Sequence, residues 1–367
     1  MQLMKYFIYL MFVAVCFSCS KQNDVQPTPD NSMYFPSNTD TSWERASMAT
    51  LGWNQGAVQP LKDYLNAKHT KSFMILVNGK IAIEAYFNGH IVMEEYFNGH
   101  NSTAPWEWNS AGKSLVSAAV GIAQQKGYLN INDKVSTYLG AGWSSETLDK
   151  ENLITIKNLL SMTSGLNDTS NLVIPANLTY VADAGTRWSY SNVFQLLMDV
   201  VAAASNQTYD NFFSTNLKSK IGMDGLWNYG VIFKIYYSNT RSMARYGLLA
   251  LNKGKWKNEQ VINEAYFTES TSSSQSINPS YGYLWWLNGK SNFMIPGAQI
   301  VFPGPLVPNA PADMFAAMGA SDQRAYVIPS KNMVVIRMGD ASDPANPTFA
   351  VSGFDNEMWA KINAVIQ

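Results

Sequence analysis

Ser110 and Lys113 stand three residues apart in the stretch Trp106-Glu-Trp-Asn-Ser-Ala-Gly-Lys-Ser114, at the start of a predicted helix. At helical spacing the two side chains share one face, a turn apart. A serine hydroxyl is a poor nucleophile at neutral pH and needs an adjacent base. A lysine amine held neutral against it is such a base, and the positive end of a helix dipole together with burial favours the neutral form. The backbone N–H of Ser110 can form half of an oxyanion hole. Spacing alone does not select this pair, since Ser18 and Lys21 have it too.

Competing chemistries find little support. The three histidines, His69, His90 and His100, all precede Ser110. His90 and His100 close two duplicated turns and are expected to be solvated, which disfavours a Ser-His-Asp triad or a histidine-ligated metal. No Gly-x-x-x-x-Gly-Lys phosphate loop occurs. Cys16 and Cys19 are the only cysteines, so the chain beyond them has no disulfide, thiolate metal site or cysteine nucleophile. No cofactor or metal is called for.

A Ser-Lys mechanism needs a second proton handler for the leaving group. Tyr-x-Asn is the candidate pattern, but it occurs at Tyr64, Tyr86, Tyr96, Tyr128, Tyr190, Tyr209 and Tyr237. Context favours Tyr190-Ser191-Asn192, which directly precedes the clearest amphipathic helix, with Tyr237-Ser238-Asn239 as runner-up. For any one of these tyrosines the plain alternative is a half-buried aromatic with a satisfied hydroxyl.

The elements that must position these residues are legible in outline. Val58 to Lys68 has helical spacing, and Phe73 to Val77 and Ile81 to Phe87 read as strands joined by the hairpin signal Asn78-Gly79. Ile81 to His90 is then repeated as Ile91 to His100, a local tandem duplication that adds an extra hairpin. Helices are predicted after Ser110 with Gly127 as C-cap, from Ile154 to about Gly165, from Ser191 to Ser205, and over Thr240–Leu251, Ile262–Phe267 and Asp355–Ile366. Late strands are expected at Tyr281–Leu287, leading into a hairpin turn at Asn288-Gly289, and at Met314–Met318, Arg324–Ile328 and Met333–Met338. Tyr281, Tyr283, Trp285 and Trp286 read mostly as sheet core, since alternate strand residues face opposite sides. Strands early, helices in the middle and strands late imply an α+β fold. Its antiparallel sheet is built from both chain ends and flanked by helices, with a mostly helical lobe inserted over about residues 110–270 and a cleft at the junction.

Several stretches resemble, in order, the serine hydrolases related to class C β-lactamases, a group that includes D-amino-acid peptidases, esterases and nylon-oligomer hydrolases. They are Tyr96-Phe-Asn-Gly99, Trp108-Asn-Ser-Ala-Gly-Lys-Ser114, Ile131 to Tyr138, Leu159-Leu-Ser-Met-Thr-Ser-Gly-Leu166, Gly185 to Asn192, and Ser242-Met-Ala-Arg-Tyr-Gly-Leu248. The resemblance implies a β-lactamase/transpeptidase-like fold, with Ser110 as the acylated nucleophile and Lys113 as its base. It implies Tyr190 as the proton shuttle to the leaving atom and Asn192 as a positioner of substrate or lysine. The family's third motif carries Lys or His with a glycine just beyond. Here the corresponding run is Ala317-Met-Gly-Ala-Ser-Asp-Gln323, without either, and with Asp322 where glycine is usual. Asp322 beside the site would disfavour anionic substrates, and the N–H of Gln323 is the candidate for the other half of the oxyanion hole.

Composition sets the remaining bounds. The 367 residues carry a net charge of −1 and are 46% hydrophobic, which fits a well-packed enzyme and argues against nucleic acid as a partner. Residues 1–19 read as an export signal: Lys5, an apolar run from Tyr6 to Phe17, then Ser18-Cys19. This resembles a lipoprotein signal in which Cys19 is lipidated and anchors the protein to a bacterial membrane. A cleaved signal without lipid is the plainer alternative. Residues 20–41, with Pro27, Pro29 and Pro36 among polar residues, read as a flexible tether, leaving residues 42–367 as one two-lobed domain. The expected activity is cleavage of an ester or amide through an acyl-serine, in the periplasm or cell envelope. The alternatives are a penicillin-binding D,D-peptidase or β-lactamase, and a catalytically silent binding protein on the same fold.

Overall fold

The computed structural model describes residues 32–86, 100–346, 351 and 353–367. Its framework is a six-stranded antiparallel sheet. The strands used below are β1 (Thr70–Val77), β2 (Lys80–Tyr86), β3 (Trp106–Glu107), β4 (Leu226–Tyr229), β5 (Lys234–Ser238), β6 (Trp286–Leu287), β7 (Phe315–Gly319), β8 (Gln323–Ile328) and β9 (Met333–Gly339). The principal helices are α1 (Val58–Ala67), α2 (Lys113–Gln125), α3 (Leu196–Ser205), α4 (Thr240–Leu251) and α5 (Gly353–Ile366).

The large sheet runs β2-β1-β9-β8-β7-β6, so strands from both chain ends meet where β1 pairs with β9, from Thr70 opposite Gly339 to Val77 opposite Met333. The β1–β2 turn shows why Asn-Gly sits there. Asn78 and Gly79 have φ of 49° and 78°, the left-handed pair that matches the twist of a two-residue hairpin. A Cβ on Gly79 would also lie 1.8 Å from the Tyr34 carbonyl oxygen.

Strand alternation divides the packing. On one face Val334 and Ile336 meet α4, where a Cβ on Gly247 would fall 2.5 Å from Val334 Cγ1. On the other, Tyr326 packs edge-on against Trp359 of α5 at 5.6 Å, and the Arg337 guanidinium lies 5.2 Å from the Phe354 ring centre. The same face holds a buried ionic cluster: Arg324 donates to both Asp355 oxygens (2.6 and 3.1 Å) and to Asp322 Oδ1 (2.8 Å), and Tyr326 donates to Asp355.

Helix α4 is thus a layer of the sheet, not a member of the inserted lobe as its position in the chain suggests. The lobe also contains a small sheet, β3-β5-β4, whose two-residue β3 is too short to leave a periodic signal. The folded body begins at Met33, earlier than the expected tether allows. Tyr34 N donates to the Asn78 carbonyl (2.9 Å), Phe35 packs edge-on against Trp256 at 5.0 Å, and Arg245 donates to the Ser37 carbonyl (2.6 Å). The helix expected up to Gly165 stops at Leu160, where a serine- and threonine-rich turn bonds back on itself: Ser161 donates to the Lys157 carbonyl at 2.7 Å. Of Tyr281–Leu287 only β6 is strand, and Asn288-Gly289 closes no hairpin. The Asn288 amide is drawn instead to the carbonyls of Val307 and Pro311, both at 3.0 Å. The leader with Cys19 and most of the second repeat, Ile91–Gly99, lie outside the described residues; no described helix is long and apolar enough to cross a membrane.

The ionic cluster yields a stability prediction. Asp355→Ala removes one of the two carboxylates that pair with the fully buried Arg324 among the described residues, and is expected to destabilise the fold by about 3–5 kcal/mol. Urea unfolding of the two proteins measures this, and an unchanged midpoint would refute it.

Candidate active site

Trp108 begins the site. Its backbone N–H donates to the Tyr236 carbonyl (2.9 Å) and its indole donates to Ser238 Oγ (2.8 Å), fixing the chain on β5 before it turns. Asn109 then takes φ 49°, a left-handed conformation that asparagine tolerates better than most residues. Its side-chain amide donates to Glu107 Oε1 (2.8 Å) and to the Ala320 carbonyl (3.1 Å). Residues Asn109–Gly112 form a 3-10 turn that runs into α2, so Ser110 sits at a helix entrance, where its N–H has no intrahelical acceptor.

Lys113 Nζ lies 2.8 Å from Ser110 Oγ. The side chain is buried, with Nζ 4.6 Å from the Tyr190 ring centre and 4.4 Å from that of Phe194. No carboxylate forms an ion pair with it among the described residues. Burial therefore acts on the charge without compensation and pushes the amine down to about 7. At neutral pH a large share of Lys113 is free amine.

Tyr190 stacks on Trp286 at 5.5 Å and meets Tyr281 edge-on at 6.0 Å. Its hydroxyl is buried and has no hydrogen-bond partner among the described residues. Burial raises the phenol well above its ordinary value, with nearby Ser110, Trp286 and Arg324 pulling weakly the other way. It is protonated at any physiological pH. Asn192 opens the turn that leads into α3, and its amide donates to the Asn171 carbonyl (3.0 Å).

These four residues line one cleft of about 430 Å³, together with Asn109, Ala320, Phe194, Phe233, Ile235 and others. Gln323 is not in the lining. It is fully buried, with its amide donating to the carbonyls of Ser321 (3.1 Å) and Gly339 (2.6 Å) and accepting from Gly339 N (3.1 Å). The strand end that does reach Ser110 is Gly319-Ala320. A Cβ on Gly319 would lie 2.4 Å from the Trp108 carbonyl oxygen and 3.0 Å from Ser110 N, so glycine is required for this approach. Ala320, next along, is the lining residue on this side.

Asp322 does not face the cleft. Ser321 and Asp322 both have φ of 57°, which turns the Asp322 carboxylate inward to Arg324 and to the Ser342 N–H (2.9 Å). The expected repulsion of anionic substrates by Asp322 is therefore corrected: the charge is buried and paired. Arg337 completes the grip on this turn by donating to the Ser321 carbonyl (2.6 Å). Tyr237, the other tyrosine considered, is held in β5 opposite Glu107 and Leu226 and is outside the lining. His100 is buried rather than solvated: its ring packs edge-on against Trp106 at 5.8 Å, and burial, followed by the Lys71 charge, pushes it down to about 4. Asn109, Gly319 and Ala320 have no recognisable signature of their own; adjacency to Ser110 is the only signal for Asn109.

Residues 70–348 match the family model described as Beta-lactamase. The chain belongs to the β-lactamase family. An uncharacterized protein of Alkalihalophilus pseudofirmus is 23% identical over 296 residues, covering 72% of this chain and 82% of that protein. Among solved structures, a family VIII carboxylesterase superposes with a TM-score of 0.62 at 13% identity, covering 84% of this chain and 96% of its own. A penicillin binding protein from Bacillus halodurans does so with a TM-score of 0.58 at 17% identity, covering 83% and 99%. The fold is the β-lactamase/transpeptidase-like one, and the family is one of serine hydrolases.

The site makes one spectroscopic prediction. In a protein carrying 15N-labelled lysine side chains, Lys113 titrates near pH 7, whereas exposed lysines titrate near their ordinary value of about 10.4. A Lys113 signal that titrates with the exposed lysines would refute the buried free amine.

Proposed function

We propose that the protein is a serine hydrolase that cleaves an uncharged ester or amide through an acyl-serine formed on Ser110. The 2.8 Å contact between Ser110 Oγ and the buried Lys113 Nζ carries this reading. Free Lys113 amine accepts the hydroxyl proton as Oγ attacks the substrate carbonyl, and the carbonyl becomes an oxyanion. The backbone N–H groups of Ser110 and Ala320 are the donors suited to hold it. The protonated Tyr190 phenol gives its proton to the leaving oxygen or nitrogen as that bond breaks, and recovers one from the Lys113 ammonium. Water then attacks the acyl-serine by the same relay, giving up one proton to it, and the acid leaves with Ser110 restored. Asn192, tied to Asn171, acts in this scheme by shaping the wall.

Charge favours an uncharged substrate over a penicillin or a D-alanyl peptide, both of which present a carboxylate. Besides Lys113, the lining cation is Lys234, which Asp199 engages at 3.4 Å. Asp168 in the lining is likewise engaged by Arg187, at 3.0 Å. We further propose that the protein is exported and held at the membrane by lipid on Cys19. Mass spectrometry of the mature N-terminus tests this, and a free or absent Cys19 would count against it.

Ser110→Ala is expected to abolish both ester hydrolysis and labelling by a fluorophosphonate. Lys113→Ala and Tyr190→Phe are each expected to lower kcat/KM by about 10²–10⁴-fold. Because the amine must be free to act, kcat/KM should fall about tenfold per pH unit below the Lys113 value of about 7 and level off above it. Full activity of Ser110→Ala, with the fold intact, would refute the assignment. A penicillin that labels Ser110 faster than any neutral ester acylates it would favour the peptidase reading instead.

A further inference from the structure

A hairpin formed by β4 and β5 stands at the mouth of the cleft, and its tip is apolar. Val231 is 88% exposed, and Ile232 and Phe233 beside it are also exposed. Solvent-facing side chains of this kind, three in a row, mark a surface built to meet something apolar. The tip is tied to the site. The buried Gln195, on the turn that also carries Asn192, donates to the Ile232 carbonyl (3.0 Å) and accepts from Lys234 N (2.8 Å). Both polar ends of this glutamine are thus used to hold the hairpin beside the cleft.

The apolar surface is continuous with the cleft. Phe233 and Ile235 line the Ser110 cleft and also a shallow hollow of about 350 Å³ on the hairpin, walled by Val231, Ile232, Gly230 and Asn228. A chain attached to a carbonyl at Ser110 can therefore leave the cleft across Phe233 and Ile235, the cation between them, Lys234, being engaged by Asp199. We infer that this track binds the acyl chain of the substrate, so that the preferred substrates are esters or amides of medium-chain fatty acids. The inference rests on the acyl-serine reading above. Its occupant is a hydrocarbon chain because the hollow continues the cleft where the acyl group would be bound.

The test is kcat/KM for p-nitrophenyl acetate, butyrate and octanoate, in monomeric solution below the micelle concentration of each ester. A fully buried methylene is worth about fourfold in binding, and in a half-open track about twofold. Octanoate is therefore expected to exceed butyrate by about tenfold or more. Val231→Asp, at a position exposed enough to spare the core, is expected to cut the octanoate-to-acetate ratio at least about fivefold. Val231→Leu is expected to keep it. Equal rates along the series, or an unchanged ratio in Val231→Asp, would overturn the track. So would an effect of Val231→Asp seen only above the micelle concentration, which would make the tip a surface for a lipid interface. Absence of any ester cleavage together with an unlabelled Ser110 would instead refute the hydrolase reading on which the track rests.

Discussion

The site depends on keeping one lysine amine dry. Lys113 is the first residue of α2, and every residue from there to Ala123 is buried. This helix has no solvent face along that length; it passes through the middle of the protein with other elements packed around it. The Tyr190 and Phe194 rings flank Nζ at 4.6 and 4.4 Å. A carboxylate within reach would restore the ammonium and with it the ordinary high pKa. Burial without a charged partner is what lowers the pKa of the amine beside Ser110, and the helical lobe provides that burial.

A second constraint acts from the opposite side. The proposed oxyanion hole needs a strand end brought against the N–H of Ser110, and Gly319 permits the approach because a side chain there would strike the Trp108 carbonyl. The following turn places two non-glycine residues, Ser321 and Asp322, in left-handed backbone, a cost that persists only where surroundings over-determine it. Here Arg324 engages the Asp322 carboxylate, Arg337 the Ser321 carbonyl, and Gln323 the Gly339 backbone. The stretch that departs in sequence from the family's motif is, in the structure, a turn held by these contacts. The charge that seemed to stand at the active site belongs to the support behind it.

The two halves of the site come from distant parts of the chain, and the sheet unites them. β7 pairs with β8, β8 with β9, and β9 with β1, so the N-terminal hairpin braces, through these strands, the strand end that meets Ser110. Asn109 links the halves directly, with one amide donating to Glu107 and to the Ala320 carbonyl. The aromatic packing of Tyr190 with Trp286 then fixes the third group.

Much of this was present in residue types and periods. The Ser110-Lys113 spacing, the amphipathic run before Ser205, the hairpin at Asn78-Gly79 and the late strands are local patterns, and local patterns survive in a sequence because neighbouring residues decide them. The ordered motifs added the fold. Tertiary structure decided what lies between segments. It turned Asp322 away from the cleft and left Gln323 out of the lining, because left-handed backbone at two successive residues reverses where side chains point. It buried His100, drew Tyr34 and Phe35 into the body, and put Asn109 and Gly319 at the join. These outcomes depend on partners in other segments of the chain or on a φ angle. Neither is written in the spacing of a motif.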